Sequence, residues 1–154
     1  MQYFKWVVSL LFLFVLNYCF AEERSNPQIK LYTIDCGRID VSNLAGFSDT
    51  SDYDNKTVQF SDTCFLIMHP KGTLLWDTGL PDSLIKKPET KDVFHLSKLT
   101  SLQDNLKKIG LKPDDINYVS VSHSHFDHMS GLDQFPNATW ILQNAELDYA
   151  KTRR

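Results

Sequence analysis

Ser122-His123-Ser124-His125-Phe126-Asp127-His128 follows directly on an apolar run, Ile116 to Val121. Three of the chain's five histidines lie in these seven residues. Imidazole and carboxylate are ligands of choice for zinc and related divalent metals. Spacing adds a direction to the chemistry. His123 and His125 are two apart, so on extended backbone both rings point the same way. Asp127 and His128 are adjacent and must diverge unless a turn intervenes. Two pairs of donors aimed differently suit two neighbouring metal ions. The candidate ligands are therefore His123, His125, Asp127 and His128.

The sequence around this loop reads as alternating strands and helices. Ile29 to Asp35 alternates as a strand, and residues 37–60, rich in Ser, Asp, Asn and Gly, read as a long surface loop. Within that loop, Phe47 and Tyr53 are candidates to line a substrate entrance. Cys64 to Met68 is a buried strand. His69-Pro70-Lys71-Gly72 is a turn, and Thr73 to Trp76 is the returning strand of a hairpin. The hairpin ends in the polar turn Asp77-Thr78-Gly79. Residues 81–98 hold two prolines and read as a connecting segment. Thr100-x-x-Gln103 resembles a capping box. Leu102, Leu106 and Ile109 then fall at helical spacing, with Gly110 as the stop. Pro113-Asp114-Asp115 is a turn, Ile116 to Val121 a strand, Thr139 to Leu142 another, and Asn144 caps a last helix through Tyr149. Trp76 and Trp140, both in strands, are expected in the core. His69 and His95 read as ordinary surface histidines. The order of elements is an α/β pattern, with helices covering sheet.

His-x-His-x-Asp-His after a hydrophobic strand resembles the motif of the metallo-β-lactamase superfamily. Leu74-Leu75-Trp76-Asp77-Thr78-Gly79 is similar to a second motif of that family, and the run CFLIMHPKGTLLWDTGLPD, residues 64–82, resembles its N-acyl homoserine lactonase branch. The likeness covers roughly residues 29–150. It implies an αββα sandwich, with the site at one edge between two sheets. It implies that His123 and His125 bind a first zinc, that Asp127 and His128 bind a second, and that Asp77 holds a ligand in place by hydrogen bonding. The implied reaction is attack of metal-bound hydroxide on a lactone or ester carbonyl, because zinc lowers the pKa of bound water to about 7. In that scheme Asp127 also passes a proton to the leaving oxygen. Other hydrolases on the same scaffold, such as thioesterases and β-lactamases, share the motif. A metal-binding protein without turnover is the alternative of a different class.

The N-terminus carries a separate signal. Lys5 is the only charge before Glu22, and Trp6 to Leu16 is almost wholly apolar. A small residue, Ala21, then precedes the polar stretch EERSNPQ at 22–28. That is the pattern of a secretory signal peptide over residues 1–21, with an uncleaved membrane anchor as the other reading. Residues 22–154 are then the metallo-β-lactamase-like domain, exported to the periplasm or secreted. An oxidising compartment allows Cys36 and Cys64 to pair, with two small buried thiols as the other reading.

The 154-residue chain is 42% apolar and 23% charged with a net charge of −3, which argues against disorder and gives no basic patch for nucleic acid. The expected partner is a small lactone or ester, without stable membrane association after signal cleavage. No histidine follows His128. The further ligands that the resemblance calls for, another His, a bridging Asp and a final His, are therefore expected beyond Arg154. On that reading the chain is the N-terminal half of the sandwich, inactive by itself, with an uncovered sheet face prone to self-association.

Overall fold

Two long strands organise the protein. In the computed structural model, which describes residues 28–152, β1 (Lys30–Val41) and β2 (Val58–His69) run antiparallel over almost their whole length. β3 (Gly72–Trp76) returns along β2 through the His69–Gly72 turn. β4 (Glu89–Lys91) and β5 (Phe94–Ser97) form a small hairpin whose second strand pairs with β1. Helix α1 (Leu102–Lys108) leads to β6 (Tyr118–Ser120), which lies parallel to β3. The metal-type loop follows, with the single turn α2 (Phe126–Met129) inside it. β7 (Thr139–Ile141), parallel to β6, and α3 (Asn144–Thr152) complete the described chain. The seven strands make one mixed sheet in the order β4-β5-β1-β2-β3-β6-β7.

Helix α1 closes one face of that sheet. Leu102 and Leu106 are fully buried against Ile34, Leu66, Leu75 and Val119, with Leu132 and Phe135 beneath the metal-type loop. A smaller cluster of Leu80, Leu84 and Leu96 packs against Ile39 and Phe94. Among the described residues, none covers the opposite face. Alternation and register put Leu31, Ile67, Leu74 and Tyr118 in one row and Phe65, Trp76, Ser120 and Ile141 in the next. Leu31, Phe65, Trp76, Tyr118 and Ile141 are all substantially exposed there. Trp76 is 40% exposed and Trp140, near the sheet edge, 47%, so neither is the core residue that a strand position suggested.

Three further expectations change. The loop shortens to residues 42–57, because β1 continues to Val41 and β2 begins at Val58. A bulge between Asp35 and Gly37 breaks the strict two-residue alternation on which a strand is recognised. The connecting segment 81–98 contains a turn of 3-10 helix, Asp82–Ile85, as well as the β4–β5 hairpin. Its strands are three and four residues long, too short to show a period. The cap of α1 is Ser101, whose Oγ accepts from Asp104 N at 3.0 Å, not Thr100. Residues 1–27, with the expected signal peptide, lie outside the described residues.

Cys36 is the extra residue of the bulge, and its side chain turns into the core beside Cys64 of β2. The two are joined in a disulfide, with Cα atoms 5.8 Å apart and 28 residues of separation. A loop of that length predicts a stabilisation of roughly 3–4 kcal/mol from loss of unfolded-chain entropy. The double substitution Cys36→Ala/Cys64→Ala is expected to lower the unfolding free energy by about that amount in urea melts. A loss below about 1 kcal/mol would show that the bridge does little to hold β1 on β2.

Candidate metal centre

The site is built where β3 and β6 end side by side. Asp77 leaves β3 with φ 64°, and its backbone N–H donates to Ser120 O of β6 at 2.8 Å. Gly79 follows with φ 72°, a conformation that suits glycine. A Cβ at Gly79 would also run into the Cys36 side chain and lie 2.8 Å from Cys36 O. The turn is therefore pressed against the bridged cysteines and turns back at once. Thr78 N donates to His128 O at 2.8 Å, and Thr78 Oγ1 accepts from Gly131 N at 3.1 Å.

This arrangement aims the Asp77 carboxylate at the metal-type loop. One oxygen accepts from Ser122 N and the other from Ser122 Oγ, both at 2.6 Å. The second oxygen also accepts from His128 Nδ1 at 2.9 Å. The carboxylate thus grips both ends of the loop while only 3% exposed. Donation by Nδ1 to a carboxylate leaves Nε2 of His128 with its lone pair outward, the orientation in which histidines bind metals.

The four expected donors come together. His123 Nε2 lies 2.8 Å from His125 Nδ1, and the His123 ring centroid is 4.2 Å from that of His128. His128 Nε2 is 3.4 Å from Asp127 Oδ2. In kind, this donor set fits zinc or a related divalent cation. In placement the set is not arranged as a metal site: among the described residues, no group of three or more His, Cys, Asp or Glu side chains is positioned to hold a metal ion. The bridged cysteines sit in the sheet below and take no place among these donors. His69 and His95 lie elsewhere. His69 Nδ1 accepts from Lys71 N in the hairpin turn, and His95 pairs with Thr90 across β4–β5.

A cavity of about 450 Å³ opens beside His125 and Asp127. Phe47, Phe60, Phe94 and Phe126 form its apolar walls with Ile39 and Leu96, and Lys91 and Asp92 are the other charged residues lining it. The Phe47 ring packs on Phe60 at 5.7 Å and on Phe94 at 6.4 Å. Phe47 was a candidate from sequence. Tyr53, the other candidate in its loop, does not line the cavity and packs under Lys56 instead. Phe60 and Phe94 could have been found only through the strand ends that the bulge and the short hairpin conceal.

Asp62 is a buried carboxylate beneath the turn, and no pattern along the chain marks it. It is 7% exposed, and its Oδ2 accepts from Leu80 N at 2.8 Å. Burial raises its pKa to about 6; the Leu80 N–H pulls it down, nearby Asp127 pushes it up, and His128 and Lys98 pull it down.

With this geometry in hand, the comparisons define the class of the protein. Residues 58–150 match the metallo-beta-lactamase superfamily, and the chain belongs to that family. It is similar to several N-acyl homoserine lactonases. It is 31% identical over 135 residues to an N-acyl homoserine lactonase of Bacillus thuringiensis, covering 80% of this chain and 52% of the relative. It is 38% identical over 95 residues to the N-acyl homoserine lactonase AttM of Agrobacterium fabrum, covering 57% of this chain and 36% of the relative. Among solved structures it is similar to a B. thuringiensis AiiA variant with N-decanoyl-L-homoserine bound at the active site. That similarity has a TM-score of 0.68 and 27% identity, over 79% of this chain and 51% of the other. The chain spans about half the length of these relatives or less.

Asp62 makes stability depend on pH. With its pKa at about 6 in the fold and 3.8 unfolded, the native state binds more protons between those values, so stability falls as pH rises through that window. Asp62→Asn is expected to stabilise the metal-free protein at neutral pH by up to about 3 kcal/mol, with the gain vanishing below pH about 4. A difference between the two proteins that stays constant from pH 4 to 7 in thermal melts would contradict this.

Proposed function

We propose that this chain carries the substrate-binding and first metal-binding part of a metal-dependent hydrolase acting on N-acyl homoserine lactones. The observation that carries the reading is the aromatic-walled cavity opening onto His125 and Asp127. An N-acyl lactone has an apolar tail and a polar, hydrolysable head. Phe47, Phe60, Phe94 and Phe126 suit the tail, and the His-Asp end suits the head. The lactonase relatives and the family membership support the same assignment.

In this proposal His123 and His125 hold one divalent cation, and Asp127 and His128 hold a second. Zinc is favoured by the imidazole-rich donor set. Such cations supply an activated water at neutral pH and polarise a carbonyl oxygen. The chain's own residues do the remaining work. Asp77 keeps the Nδ1 proton of His128 in place, so that Nε2 faces the site. The phenylalanine walls exclude water around the acyl tail. Asp127, on the cavity wall, would take the proton released by the attacking water and pass it to the ring oxygen as the acyl C–O bond of the lactone breaks. Four donors are fewer than two complete catalytic sites require, since a catalytic zinc usually takes three protein ligands. The proposal therefore includes little turnover by these residues alone.

Export belongs to the same proposal. The N-terminal pattern of residues 1–21 supports it, as does the Cys36–Cys64 bridge, which suits an oxidising compartment.

The test is elemental analysis of the purified chain after zinc loading, with proton release from N-hexanoyl homoserine lactone followed on the same sample. The expected result is bound zinc that falls at least tenfold in His123→Ala/His125→Ala, with turnover near the uncatalysed rate. A chain that takes up no more zinc than the double variant would sink the metal-centre assignment. Rapid turnover would overturn the incomplete ligand count. Activity on a thioester or β-lactam instead would overturn the substrate class.

A further inference from the structure

We infer that Glu146 is a positioning residue for the His123/His125 pair, acting through the peptide between them; this rests on the metal-centre reading above. Ser124 stands between the two histidines. Its backbone N–H donates to Glu146 Oε2 at 2.8 Å, and its hydroxyl donates to the same oxygen at 2.7 Å. The backbone bond sets the plane of the peptide linking His123 to Ser124, and the hydroxyl bond fixes the side chain that alternates with the two rings. Residues 122–125 form a bend rather than a strand, so the two rings owe their placement, with His123 Nε2 2.8 Å from His125 Nδ1, to how this bend is held; if the Ser124 amide turns away, the peptide that joins His123 to Ser124 turns with it and that placement is lost.

The placement of Glu146 supports a role beyond packing. It lies in the first turn of α3, a helix with no buried residue. Leu147 and Tyr149 of that helix are both substantially exposed. The core therefore does little to seat α3, while Glu146 ties it to the metal-type loop across 22 residues of sequence. β6 and β7 supply the frame for this contact. They run parallel, with Ser120 Oγ donating to Ile141 O at 2.9 Å, so that the loop leaving β6 and the helix after β7 emerge at the same edge. Asp77 grips the loop at Ser122 and His128 from the β3 side. Glu146 grips it between those points from the other, where His125 O accepts from His128 N at 3.1 Å and the His125 ring meets that of His123.

Cobalt titration followed by visible absorbance, together with amide hydrogen exchange of the metal-free chain, tests this. Glu146→Ala is expected to weaken the tighter cobalt site by about 10- to 100-fold, the range found when a partner of a ligand is removed. The Ser124 amide should lose its protection from exchange, and the melting temperature of the metal-free protein should stay within a few degrees of the parent. Glu146→Gln, which keeps one acceptor, should recover most of the affinity. Lys151→Ala, which breaks the Asp148–Lys151 pair of the same helix at 3.2 Å, should change neither readout. Parental cobalt affinity in Glu146→Ala would overturn the inference. So would a Ser124 amide that exchanges freely in the parent, or an equal loss in Lys151→Ala, which would make the effect one of helix stability. A parent chain that binds no cobalt would overturn the metal-centre reading itself.

Discussion

The carboxylate of Asp77 accepts hydrogen bonds from Ser122 N, Ser122 Oγ and His128 Nδ1, and the rest of the site depends on those three contacts. A buried carboxylate is costly unless its oxygens are satisfied, and here every partner lies in the histidine loop. The same contacts that make Asp77 tolerable in the interior therefore close the loop over it. They also choose the face that His128 presents. Trp76 adds an outer link, since its indole N–H donates to Ser122 Oγ at 2.9 Å from the face of the sheet opposite α1.

Holding Asp77 in this role takes the whole centre of the molecule. Its left-handed backbone is reached only because β3 is pinned between β2 and β6, and because Gly79 folds the chain down onto Cys36. Leu80 is fixed through both of its backbone polar groups. Leu80 N donates to Asp62, and Leu80 O accepts from Lys98 Nζ at 2.6 Å. The Lys98 side chain is 1% exposed and also pairs with Asp82 at 2.8 Å. A buried lysine and a buried aspartate on either side of one backbone unit form a rigid polar anchor in an otherwise apolar layer. The disulfide locks the bulge of β1 beneath it. Bulge, bridge, turn and histidine loop are thus one connected piece, while the aromatic cavity borders it through His125, Phe126 and Asp127.

How much of this was readable from sequence follows from where the information lies. The donors were legible because four of them fall within six residues, His123 to His128, and because the apolar run before them fixes a strand. Asp77 was legible as a polar turn ending a hairpin. The long strands were partly legible, since each has an apolar stretch, but the bulge at Cys36 reset the alternation and hid the second half of β1. Trp76 was misplaced because alternation tells which residues share a face, not which face is covered. Asp62, Lys98 and Glu146 left no trace, because all three bond to backbone atoms or to a serine many residues away, and such partners carry no pattern along the chain. The α/β class was readable from element order. The β4–β5 hairpin was not, because strands so short gain their stability from pairing with β1 rather than from their own sequence.

The claim on which the account stands is that Asp77 fixes the tautomer of His128. Long-range proton–nitrogen correlation NMR of the histidine side chains reads this directly in the metal-free protein at neutral pH. The account predicts that His128 carries its proton on Nδ1 in the parent and becomes a mixture of tautomers in Asp77→Ala. A His128 protonated on Nε2 in the parent, or a tautomer indifferent to Asp77, would contradict it.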